Sequence, residues 1–483
     1  LNGDDVKQTR TTVLELFDEL LPKTLKERVL FFVKTVPWHF DESASEERVG
    51  LNKNQQRAIE LGYECADNLV VFNEVAFPLS NGESRQGFAF GQAIYEKTNA
   101  RRQVIETAIE ALIAAAEGNP NPSVLGGMLF VSGREDISKF ESLLEEISSH
   151  GALKQHLVYL AGLHLTPRTL KLVVDGLNNG DLTPQSTYIL GAGRVMDSLS
   201  PESISTLISA LRARGSDGFL AAVDLLGMYT LDSAEKFKAT RAEIDATLRS
   251  ELFYKERSNR TMMDFHYETL ASKLLNDEKY GEPLSEFIAK SLIGLAESKE
   301  LGNTDLAHRL SSLIFSKFPR QSLELFASYV EHSDRIARWN LGYVIGSPMS
   351  FGEKEEGPLF KIDHRTLIDA CRKYPKRFAV LVAEIAPIFR FDGARAWSTV
   401  GQALLDTFGG RKEILDALSS NIRTGGWSGP ISDHLKSYIP PLKHASEHKL
   451  NQVRVWAKQQ LASLNRQIER AIKDEEEETL RGR

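Results

Sequence analysis

Apolar residues recur at intervals of three and four along most of this chain, most regularly between residues 132 and 230. Successive sets there are Ile137, Phe140, Leu144 and Ile147; Leu153, Leu157 and Leu160; Leu170, Val173, Val174 and Leu177; Ile204, Leu207, Ile208 and Leu211; and Phe219, Leu220, Val223 and Leu226. Each set is one narrow stripe on a helix. Ser132, Ser149, Thr166, Thr183, Ser200 and Asp217 fall at a strict interval of seventeen residues, each ahead of an amphipathic stretch. Ser, Thr and Asp mark helix starts because their side-chain oxygens accept hydrogen bonds from free amides of the first turn. Six starts in phase predict stacked helical hairpins with a two-helix unit of thirty-four residues. A single stripe is too narrow to fold alone, so neighbouring helices must stack to bury it.

The strongest internal match sets Leu165-Thr166-Pro167-Arg168-Thr169-Leu170 against Leu199-Ser200-Pro201-Glu202-Ser203-Ile204, with Leu177 and Leu211 closing the two segments. Proline just after the cap suits the first helical position, where its missing N–H costs nothing, and Thr183-Pro184 repeats the device. Glu135 stands three residues after Ser132, at capping-box spacing. Gly162, Gly191, Gly193 and Gly227 lie inside or near these helices. Either neighbouring helices approach closely there, or the glycines end the helices.

Outside this ladder the pattern is looser. Residues 5–40 read as two apolar helices broken near Pro22, and 41–55 as a polar loop. Residues 56–104 are mixed: Val70-Val71-Phe72 has the composition of a short strand, and Asn81-Gly82 signals a turn. Ile105 to Ala116 predicts a helix, and Asn119-Pro120-Asn121-Pro122 punctuates the chain before the ladder. Beyond about residue 235 the strict phase is lost, but 304–317, 321–346, 378–390 and 393–408 keep helical spacing. Residues 347–363, with Gly352, Gly357 and Pro358, predict a long loop. A last helix over about 443–479 carries Leu450, Val453, Ala457, Leu461, Leu464, Ile468 and Ile472 as one seam. These patterns divide the chain into an N-terminal helical segment with an irregular insertion (1–125), the regular ladder (126–235), less regular helical repeats (236–440) and a long C-terminal helix with an acidic end (441–483).

Composition narrows the classes of function. At 483 residues the chain exceeds the usual single-core domain, a limit that a one-dimensional array avoids. No apolar run approaches the ~20 residues of a membrane span; Val29-Leu30-Phe31-Phe32-Val33 reads as the buried face of a core helix. A net charge of −7 predicts no general attraction to nucleic acid or anionic membrane. Cys65 and Cys371 are the only cysteines, which excludes a disulfide scaffold and a multi-cysteine zinc site. With no secretory signal peptide, a reducing cytoplasm is the expected compartment. The chain opens Leu1-Asn2-Gly3 without an initiator Met. That predicts either a start inside a longer protein or a processed N-terminus, and leaves room for a catalytic domain upstream.

Candidate chemistry is sparse. There is no Walker A sequence. Gly87-Phe88-Ala89-Phe90-Gly91 lacks phosphate-cradle spacing and reads as a turn with buried aromatics. His444-Ala445-Ser446-Glu447-His448 spells the H-x-x-E-H zinc pattern, but no third ligand is evident, so ordinary exposed histidines are the expectation. Lys236, Lys238, Arg241, Arg249, Lys255, Arg257 and Arg260 form a basic stretch around Phe253 and Tyr254. It reads either as a phosphate-tracking wall or, given Glu235, Glu243, Asp245, Glu251 and Glu256 among it, as a salt-bridged face. Arg101-Arg102 is too small to count as a patch. Gly425-Gly426-Trp427-Ser428-Gly429-Pro430 predicts a tight loop that pins Trp427 between helices or offers it to a partner. The acidic run Asp474 to Glu478 reads as a solvated helix end or as a contact for a basic partner.

The unit length is that of tetratricopeptide repeats, whose aromatic and small-residue pattern is not evident here. Asn451-Gln452-Val453-Arg454, followed by Ala457, Leu461 and Leu464, resembles the second helix of a HEAT repeat. The resemblance implies that Val453 enters the core and that Arg454 bridges to an acidic residue of a neighbouring repeat. The wider combination of capped ladder, Gly-Gly-Trp-Ser-Gly loop and terminal helix looks like the helical-repeat C-terminal regions of large bacterial antiphage defence proteins. It supplies no catalytic residues, and it implies a sensor or scaffold role.

The expectation is therefore an all-α chain, an α-solenoid of stacked HEAT/TPR-like hairpins. It acts as a non-catalytic scaffold or sensor, bound to a protein partner or to an upstream domain of the same polypeptide. No catalytic residue, metal or cofactor is expected. The partner-binding candidates are Trp427, Lys236, Lys238, Arg241, Arg249, Lys255 and Arg257. Homo-oligomerisation is compatible with this reading. The rivals are a HEAT-like nucleic-acid binder and an enzyme with its site in the 56–100 region.

Overall fold

A computed structural model describes residues 22–35, 53–251, 261–298, 304–346, 357–392, 394–422 and 429–481. These are helices joined by short turns, with one two-stranded antiparallel hairpin, β1 (Phe389–Asp392) and β2 (Ala394–Trp397), and one isolated bridge. The fold is all-α. Packing divides the chain into two compact units, Leu1–Thr240 and Arg241–Arg483.

In the first unit a short helix, α1 (Leu25–Val29), runs into a π turn. Five helices follow: α2 (Lys53–Ala66), α3 (Leu69–Ser80), α4 (Gly87–Lys97), α5 (Arg101–Ala114) and α6 (Ser123–Glu135). Then come α7 (Ile137–Ser149), α8 (Leu157–Gly162), α9 (Pro167–Asn179), a 3-10 segment over Pro184–Ser198, α10 (Pro201–Arg212) and α11 (Gly215–Tyr229), and the boundary between the units falls within α12 (Ala234–Leu248). Alternate helices stack on each other: α4 lies between α2 and α6, while α3 packs on α5 and α7 on α9. This arrangement is compatible with a helical repeat. Among the described residues, hydrogen bonds join three residue pairs thirty-four apart: Arg101 with Glu135, Thr107 with Asn73, and His164 with the Phe130 carbonyl.

The stack is tightest where α4 meets its neighbours. A Cβ on Gly91 would sit 2.1 Å from the Val124 carbonyl oxygen of α6, and one on Gly127 of α6 would sit 2.1 Å from the Phe88 oxygen. On the other side, a Cβ on Gly62 of α2 would meet Ala93 Cβ at 2.7 Å and the Phe90 oxygen at 2.8 Å. Backbone therefore touches backbone on both sides of α4. Residues 87–91, expected as a turn, instead open a buried helix, because their small residues repeat at helical spacing and the space has no room for side chains. Gly162 and Gly191, expected to mark close approach, would each make only ordinary 3.4 Å contacts. Gly193 has φ +63° with nothing nearby.

The cap ladder holds in its middle and slips at its ends. Thr166 caps α9, accepting from Thr169 N, and Ser200 caps α10, accepting from Ser203 N. Thr183 precedes the 3-10 segment but caps nothing with its side chain. Ser132 is buried inside α6, and Asp136 caps α7 in its place, taking the amides of Ser138 and Lys139. Ser149 is the last residue of α7, and Asp217 lies in the first turn of α11 instead of at its cap. Glu135 ends α6 and pairs with Arg101. The expected strand Val70–Phe72 lies within α3, whose inner face Phe72, Val75, Ala76 and Leu79 fills the core, and 56–100 is helical for most of its length. Asn81-Gly82 is a turn, with φ +88° at Gly82.

In the second unit α13 (Thr261–Leu274), α15 (Thr304–Lys317), α17 (Arg335–Ile345), α19 (Phe378–Ile385) and α21 (Lys412–Asn421) pack in succession. Alongside them run α14 (Gly281–Glu297), α16 (Pro319–His332), α18 (His364–Lys373) and α20 (Thr399–Phe408). The stretch 321–346 is thus two helices. The spans 378–390 and 393–408 each mix helix with one strand of the hairpin, since Pro387 stops α19. Phe389 and Trp397 pair across the hairpin, and Trp397 Nε1 donates to the Pro441 carbonyl at 2.8 Å. Pro358–Lys361 is a 3-10 turn inside the expected long loop, most of which lies outside the described residues.

Several helix ends here are satisfied from far away in sequence. Glu331 of α16 accepts the amides of Lys376, Arg377 and Phe378, and so caps α19. Asn340 of α17 donates to the carbonyls of Ala296 and Ser298, and Asn421 of α21 to those of Ala383 and Ala386. After α22 (Ile431–Lys436) and α23 (Ile439–Ala445), the terminal helix α24 spans Asn451–Arg481, later than the expected start. Val453 is buried, as the HEAT resemblance implies. Arg454 departs from it: its guanidinium turns back to the carbonyls of His448 and Lys449 and to Asn451 Oδ1, with no acidic partner among the described residues.

Two outcomes follow. Ala at Gly91 or Gly127 gains helix propensity of ~1 kcal/mol but forces backbone apart, so thermal melting is expected to show a net loss of ~1–3 kcal/mol. Ala at Gly294, inside α14 with nothing within 4 Å, is expected to show the gain alone. For Glu331, burial opposes the charge, but three amide donors and Lys376 outweigh it and hold the pKa below its ordinary 4.5. Its contribution is therefore present above about pH 4.5 and lost as pH falls through the lowered value. Glu331→Gln is expected to cost ~1 kcal/mol at pH 7 and progressively less below pH 4.5 in urea titrations.

Candidate functional site

Helix α17 is built with two faces. Asp334 caps it, accepting from Ala337 N at 2.8 Å. Ala337, Asn340, Leu341, Val344 and Ile345 turn inward, and Gly342 lets Leu381 and Ile385 of α19 come close, 3.3 and 3.2 Å from where its Cβ would lie. The opposite face carries Ile336, Trp339 and Tyr343, at 69%, 61% and 46% exposure. Their spacing of three and four places them on one side of the helix. Trp339 and Tyr343 meet edge to face, ring centroids 5.4 Å apart. Isolated exposed apolar residues are ordinary, but an exposed Trp, Tyr and Ile together on one face form the kind of patch that marks a contact surface.

The charges around this face are mixed, Arg335, Arg338 and Lys361 against Asp334, Asp305 and Glu384. Arg335 is exposed and Arg338 half-exposed, and neither forms an ion pair among the described residues. At the other end His308 of α15 faces the backbone of Val344 and Tyr343, with Lys361 nearby; burial and Lys361 lower its pKa. Glu384 of α19 is the half-buried carboxylate beside Arg338 and Arg335. Burial raises its pKa more than those arginines lower it.

Of the residues expected from sequence, Lys236, Lys238 and Arg241 lie on α12 and Arg249 directly follows it. Lys236 donates to Asp197 at 2.6 Å and lies over the Tyr229 ring. Arg241 pairs with Asp277, Arg249 pairs with Asp245, and Lys238 is exposed. Trp427, Lys255 and Arg257 lie outside the described residues, as does Arg260. The cleft beside Lys236 holds about 160 Å³ between Leu190, Met196, Met228 and Leu231. That is below the ~300 Å³ at which ligand pockets begin. Its rim is tied by Arg194, which has φ +62° and pairs with Asp232 and Asp197. Left-handed backbone at a non-glycine residue costs ~1–2 kcal/mol, which these ion pairs help offset.

His444 lies in the last turn of α23 and is exposed, whereas His448 lies in the following turn and bonds Asp406 at 2.9 Å. The two therefore do not share a helix face. Among the described residues no group of three or more His, Cys, Asp or Glu side chains is placed to hold a metal ion. Both cysteine thiols are buried and pushed up to about 12, mainly by burial, so neither is a ready thiolate. Glu475, within the acidic run, accepts from the Ser432 amide and hydroxyl and so ties α24 to α22. Among the described residues no helix is long and apolar enough to cross a membrane.

Sequence reasoning missed the α17 face. The signal was present as Ile336, Trp339 and Tyr343 at helical spacing, but Ala337, Leu341 and Val344 make a second apolar stripe on the same helix. Periodicity does not say which stripe is covered. No protein-family model matches this chain, and no curated protein matches it.

If the outer stripe plays no part in the fold, truncating it leaves stability nearly intact. Trp339→Ala and Tyr343→Ala are each expected to shift the unfolding free energy by less than ~1 kcal/mol. Leu341→Ala, on the buried face of the same helix, is expected to cost ~2–5 kcal/mol. Denaturant melts of the three variants make the comparison.

Proposed function

We propose that this chain is a non-catalytic protein-binding scaffold or sensor module that works by contact, with the outer face of α17 as its docking surface. The observation that carries the reading is the contiguous exposure of Ile336, Trp339 and Tyr343 on a helix whose other face is packed. Trp and Tyr dominate interface energetics because they bury large areas with little side-chain entropy to lose. Partners are held by surfaces of this kind in stacked-helix proteins generally, where one helix of each pair is free to vary. A role in a bacterial antiphage system, on the strength of the resemblance above, would make this face the sensing or assembling element.

The nucleic-acid reading is less well supported. The basic stretch it relied on is partly consumed by Asp197, Asp277 and Asp245. The enzyme reading relied on irregular structure in 56–100, which is helical for most of its length, with Gly62, Gly87 and Gly91 in close packing. The test is quantitative affinity enrichment from native cell extract with the wild-type chain and a Trp339→Ala/Tyr343→Ala double variant of equal melting temperature. Proteins enriched by the wild type are expected to fall at least tenfold with the double variant. An unchanged set of enriched proteins would remove α17 from the binding surface.

A further inference from the structure

We draw no further inference here: the strongest candidate, the exposed apolar face of α17 formed by Ile336, Trp339 and Tyr343, carries nothing beyond the docking role proposed above, because nothing in the structure shows what covers it.

Discussion

The first unit depends on three helices whose backbones touch. At Gly91 and Gly127 any side chain would run into a carbonyl oxygen of the facing helix, and Gly62 makes the same demand on the far side of α4. Close-packed interiors do not deform smoothly, so such contacts fix helix separation and register at once. Once α4 is held this way, Phe72, Phe90, Ile94 and Tyr95 have defined cavities to fill, and all four are fully buried. The Tyr95 hydroxyl, at the end of that core, accepts from Lys139 of α7, which carries the constraint into the next layer.

The second unit solves a different problem. Its helices end against one another, where free amides and carbonyls would be buried without partners. Glu331, Asn340 and Asn421 satisfy those ends from helices roughly forty residues away. Glu475 does the same for the Ser432 amide from the terminal helix. Each bond also fixes which helix lies beside which, so polar satisfaction and helix order are set by the same side chains. The charge on Glu331 makes one of these junctions sensitive to acid.

Against this background the outer face of α17 stands apart. On its inner side Leu341 and Val344 are buried, and Gly342 lets Leu381 and Ile385 come close. On its outer side Ile336, Trp339 and Tyr343 are exposed together. On the protein-binding reading proposed above, their worth lies in association, where a desolvated aromatic anchor contributes more than a matched surface ion pair.

Helical class was legible in the sequence because it follows from local periodicity: the stripes of α7, α9, α10 and α11 need no knowledge of neighbours. Thr166 and Ser200 were legible for the same reason, since a cap acts within its own first turn. The ladder failed at Ser132 because an Asp four residues later took the cap while the serine was carried into the core. Residues 56–100 were misread because Gly87, Gly91 and the β-branched Val70-Val71 weigh against helix locally, whereas close packing of α4 favours it. The candidate site was hidden more completely. Whether Trp339 or Leu341 faces the core depends on where α14, α15 and α19 lie, which no spacing along α17 encodes. The local sequence thus determined that these segments are helices with apolar stripes. Only the tertiary structure decided which stripes are buried and which ends are capped from a distance, because burial and long-range hydrogen bonds belong to pairs of helices and not to either one alone.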